Sequence, residues 1–129
     1  MRRKTLFLLA LTLALSAESV TAESEFDFEE LMKDVETKIQ DVQNNIAAKD
    51  APTALNQSKE LEQEFKLVES YFNKRGDAAD AVHNSKEYQG KAQTISSALN
   101  VGDFDTAANA ANDFSKECRG ACHDKYKPL

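Results

Sequence analysis

Phe28-Glu29-Glu30-Leu31-Met32-Lys33-Asp34-Val35-Glu36-Thr37-Lys38-Ile39-Gln40-Asp41-Val42-Gln43-Asn44-Asn45-Ile46 decides the fold. Phe28, Leu31, Val35, Ile39, Val42 and Ile46 recur at alternating steps of three and four. Most residues between them are Glu, Asp, Lys and Gln. That pattern puts one apolar stripe on a helix and leaves the other faces to water. The helix is expected from about Phe26 to Ala48. Asp50-Ala51-Pro52 then punctuates, with Asp50 as N-cap and Pro52 in the first turn of the next helix.

The second helix carries Ala54, Ser58, Leu61, Phe65, Val68 and Phe72 on the same spacing. Asn73-Lys74-Arg75-Gly76-Asp77 ends it, with Gly76 near the C-cap. The next stretch is the least clear. Asp77 to Asn84 is Ala-rich and reads as part loop, part short helix. From about Ser85, a helical face follows through Tyr88, Ala92, Ile95 and Leu99. Asn100-Val101-Gly102-Asp103 is a turn, with Asp103 capping a fourth helix. That helix presents Phe104, Ala107, Ala111, Phe114 and Cys118, and Pro128 lies beyond its end. No segment alternates like a strand. The expected fold is all-α, an antiparallel up-down-up-down four-helix bundle.

The chain ahead of these helices reads as an address. Arg2, Arg3 and Lys4 precede an apolar run, Leu6 to Leu15, broken only by Thr12. The run is too short to span a membrane and fits a secretory leader. Val20-Thr21-Ala22 places small residues for cleavage after Ala22; Ala17 is a second option. Residues 1–22 are thus an expected signal peptide and 23–129 one helical domain exported to a periplasm. Cleavage removes three of the 16 Lys and Arg and one of the 22 Asp and Glu. The mature balance is 13 against 21, or −8. Such a surface argues against nucleic acid and anionic membranes as partners. It favours a protein with a basic docking face, and it also serves solubility.

The chemistry is concentrated at Cys118-Arg119-Gly120-Ala121-Cys122-His123. Covalent haem attachment uses two thiols that add to the vinyl groups and an adjacent imidazole that reaches the iron. The usual spacing is C-x-x-C-H; this chain has C-x-x-x-C-H. The expected cofactor is one covalent haem c bound by Cys118 and Cys122, with His123 as iron ligand; a single thioether is the variant. Other readings of the cysteines are an intrahelical disulfide, redox-active thiols or metal binding without haem. A disulfide between residues four apart closes a very short loop and stabilises little. The extra residue has a geometric consequence. On a regular helix His123 points about 140° away from Cys118. A one-residue bulge near Gly120 would absorb the difference.

Helical bundles with haem near the C-terminus of the last helix form the cytochrome c-prime family, the class II c-type cytochromes. Cys118, Cys122 and His123 resemble its motif apart from the added residue. Cys122-His123-Asp124-Lys125-Tyr126 also resembles the soluble periplasmic four-helix cytochrome b, whose histidine lies in a similar context. That protein carries an axial methionine early in its first helix, and Phe28-Glu29-Glu30-Leu31-Met32 is similar in position and surroundings. The resemblance implies Met32 as the second iron ligand. Topology gives the same pairing independently. In an up-down-up-down bundle the start of the first helix and the end of the fourth meet at one end.

Competing readings stand beside these. Met32 on the edge of a stripe is ordinarily core filler. His83 reads as a surface histidine. Phe28, Phe65, Phe72, Phe104 and Phe114 read as core. Arg119, Lys125 and Lys127 either neutralise haem propionates or answer the helix dipole. Glu29, Glu30, Glu60, Glu62 and Glu64 read as solvated faces. No Ser-His-Asp or zinc-site spacing suggests an enzyme. The expected function is therefore a periplasmic electron carrier with His/Met ligation, which raises the potential over bis-histidine. It would work as a monomer or homodimer with redox partner proteins. The alternatives are a five-coordinate haem protein binding nitric oxide or carbon monoxide, and a haem-free helical adaptor.

Overall fold

The computed structural model describes residues 27–121, with side chains as far as Cys118. Four helices and no strand occur among the described residues: α1 (Phe28–Ala47), α2 (Ala51–Arg75), α3 (Ala79–Asn100) and α4 (Phe104–Ala121). The expected leader and its expected cleavage point, Cys122, His123, Lys125 and Lys127 lie outside them. None of the four helices is long and apolar enough to cross a membrane.

The expected punctuation works atom by atom. At the first helix, expected from about Phe26, the start is instead set by Asp27, which caps α1 with its Oδ1 accepting from the Glu30 amide at 3.0 Å. Asp50 caps α2 by accepting from the Thr53 amide at 3.2 Å and hydroxyl at 2.7 Å. Asp103 repeats the arrangement with Thr106 at 3.0 and 2.6 Å to start α4. Gly76 closes α2 at φ 82, where its amide donates to the Phe72 carbonyl. Only a residue without Cβ adopts that angle cheaply.

The connections are short, so sequential helices run antiparallel. Paired contacts along the seams give the directions: Asn45 with Gln57 and Lys38 with Glu64 between α1 and α2, and Gln43 with Asn112 and Met32 beside Cys118 between α1 and α4. Each helix packs on two neighbours in ring order, and α1 closes the ring against α4. The α2–α3 seam is the densest and the α1–α4 seam the sparsest. Small residues explain the first. Ala54, Ser58, Ala81, Ser85 and Ala92 are fully buried and let the backbones approach. The hydroxyls of Ser58 and Ser85 are spent on the carbonyls of Ala92 and Ala81.

The bundle centre is aromatic. Phe65, Tyr88 and Phe114, one from each of α2, α3 and α4, stand with ring centroids 5.1 to 5.4 Å apart. Such pairs add about 0.5–1.5 kcal/mol each beyond their burial. Val35, Ile39, Val42 and Ile46 supply the α1 share of the core. Phe28 and Phe104 are only partly buried at its ends.

Two expectations need correction. Of the stretch 77–84, expected as part loop and part short helix, only Asp77 and Ala78 lie outside helix; residues 79–84 are the first turns of the continuous α3. Ala78 and Ala81 are buried and extend the stripe of Ser85 and Tyr88 backwards at three- and four-residue steps. Glu64 is not on a solvated face: it is 8% exposed and faces α1. Its place beside Phe65 puts it on the flank of the stripe, where a neighbouring helix covers it.

Candidate functional site between the first and last helices

The sequence stripe places Met32 one position past Leu31, on the edge of the buried face of α1. In the fold that edge turns toward α4. Met32 is partly buried and packs against the core. Cys118 closes the α4 stripe four residues after Phe114 and is 5% exposed. The two sulfur side chains line one groove between α1 and α4. Val35 and Ile39 form its floor with them, and Glu36, Gln40 and Ser115 its rim. Sequence reasoning singled out Met32 and Cys118 but not the three rim residues. Their signal is positional, since Glu36 and Gln40 follow Met32 by one and two turns and Ser115 precedes Cys118 by one.

Antiparallel packing sets the level of the groove. Gln43 donates to Asn112 at 2.8 Å, so each residue back along α1 from Gln43 is matched by one forward along α4 from Asn112. The start of α1 and the end of α4 share one end of the bundle. α4 is α-helical through Ala121, so Cys118 and the residues after it up to Ala121 belong to one helix. Cys122 and His123, the other half of the sequence motif, lie outside the described residues; the bulge expected near Gly120 does not occur there, where α4 is regular α-helix through Ala121.

Two sulfur donors share the groove. A thioether and a thiol are soft ligands or attachment points, and here they face one partly apolar groove. The groove has a volume of about 30 Å³, room for a water or two. A planar macrocycle enters only as α1 and α4 spread, and theirs is the sparsest seam of the ring.

His83 is placed elsewhere. It is exposed on α3, 3.6 Å from Glu87 one turn on, and α3 does not pack on α1. No group of three or more His, Cys, Asp or Glu side chains able to hold a metal ion occurs among the described residues. No family model matches the chain, and no curated protein or solved structure matches it. The likeness to haem-carrying bundles rests on the residues that carry it.

Proposed function

We propose that this chain is an exported haem protein that carries single electrons. Cys118 and Cys122 would hold the haem through thioethers, His123 would ligate its iron, and Met32 would ligate from the other side. The observation that supports this reading is the pairing of Met32 and Cys118 in one groove. They come from opposite ends of the described chain, and one of them belongs to the C-x-x-x-C-H motif. Bound there, haem supplies a one-electron couple.

The chain's own residues do the rest. Val35 and Ile39 offer an apolar wall that excludes water. The aromatic centre of Phe65, Tyr88 and Phe114 fixes α4 against α2 and α3, so the end of α4 is held by a rigid body. Rigid support keeps ligand positions the same in both oxidation states. The acidic surface left after leader removal would steer a partner with a basic docking face.

The test is the visible spectrum of the protein purified from a periplasm that matures c-type cytochromes. Reduction should give sharp α and β bands, and the pyridine haemochrome should have the thioether-type position. A colourless protein would overturn the reading and leave the haem-free helical adaptor.

A further inference from the structure

We propose that Glu64 is a buried proton-binding site: its carboxyl takes up a proton that it shares with Asp34 beside Lys38, and losing that proton weakens the seam between α1 and α2. The site is independent of whether the chain carries haem.

Lys38 reaches from α1 toward α2 and is nearly buried. Its ammonium bonds Glu64 Oε1, Glu60 Oε2 at 3.1 Å and Asp34 Oδ2 at 3.3 Å. An ammonium has three donors, and all three are used. Glu64 Oε2 is therefore left without a donor, inside a residue that is 8% exposed. Lys38 holds Asp34 and Glu64 on one ammonium, so the two carboxyls are neighbours. Two ionised carboxylates are both acceptors and repel. A proton on Glu64 turns the contact into an O–H donating to a carboxylate, a strong bond.

The charge count agrees. Three ionised acids around one ammonium leave two negative charges uncompensated beside the core. Asp34 and Glu60 are exposed enough for water to hold them ionised, so Glu64 is the one to take the proton. Burial, helped by Asp34 and opposed by Lys38, pushes the Glu64 carboxyl up to about 7. The bond to Glu64, then that to Lys38, holds Asp34 below its usual range. Burial works against the Lys38 ammonium, but its bonds to Glu64 and Glu60 outweigh that and hold it above its ordinary value. The other helix packed on α2 does not intervene. Among the α3 side chains reaching α2, Lys86 and Gln93 go to Glu69 and Glu62, Gln89 to Glu69 and the Phe65 carbonyl, and Ser96 to Ser58.

The sign follows by linkage. The folded state keeps the proton up to about 7, whereas an ordinary glutamate loses it near 4.5. The stability contributed by this proton is full below 4.5 and is lost as pH rises through 7. Urea unfolding of the full chain, as purified, tests this from pH 4 to 8.5. Glu64→Gln mimics the protonated acid. Its midpoint should match the wild type near pH 4, exceed it increasingly as pH rises from 4.5 to 7, and stay above it at pH 8.5. Parallel profiles for the two proteins would overturn the proposal. A carbon-13 titration of the Glu64 carboxyl in the wild type gives an answer even if the variant fails to fold. A midpoint near 7, lowered by Asp34→Asn, supports the site; a midpoint near 4.5 refutes it.

Discussion

At the scale of single residues, three side chains depart from what their neighbours do. Met32 and Cys118 are the sulfur atoms of one groove, and Glu64 is an acid inside a seam. Met32 separates an electron carrier from a gas binder. With Met32 on the iron, the ferric protein should be low-spin, with a weak sulfur-to-iron band toward the red edge of the visible spectrum. Met32→Ala should abolish that band, let carbon monoxide bind the reduced protein and lower the potential, because a thioether ligand raises it. A wild-type protein that is already high-spin and binds carbon monoxide readily would promote the five-coordinate reading. Met32 and Cys118 were legible in the sequence because spacing along a helix fixes which face a residue shares. Glu64 was not. Its burial comes from α1 lying against the flank of α2, and one helix's pattern does not say where its neighbour crosses. A partial signal exists: Asp34 and Lys38, like Glu60 and Glu64, are one turn apart and carry charges beside a stripe.

At the scale of elements, the caps and apolar stripes were readable because each is local chemistry. Asp50, Gly76 and Asp103 act within a turn of their own positions. The start of α3 was hidden by its composition. Ala and Ser count as neither clearly apolar nor clearly polar, so Ala78, Ala81 and Ser85 do not stand out as a stripe. Packing uses them for their small size. Ala81→Leu tests that account, since Ala81 is fully buried against its neighbours. Overpacking there should cost about 1–3 kcal/mol in urea unfolding. A loop position would tolerate the change within about 0.5 kcal/mol. In α4 the helix runs on past Cys118 to Ala121. Any convergence of Cys118 and His123 on one haem must therefore be made after Ala121 or by reshaping the last turn.

At the scale of the whole molecule, the ring of helices is uneven. α2 and α3 press together through small residues, the aromatic centre ties α4 to both, and α1 meets α4 along the sparsest seam. The groove with the two sulfur side chains lies on that seam. A domain this small gains from a ligand that bridges its weakest contact, since whatever binds only the folded state stabilises it. Topology was legible from four stripes and three short turns. The unevenness was not, because it depends on how closely each pair of backbones approaches. The central claim is that haem is bonded to this chain. Acid–acetone extraction followed by intact mass measures that bond directly. A coloured polypeptide heavier than the mature chain by one haem is expected; a colourless polypeptide at the mass of the mature chain alone would rule out a covalent haem.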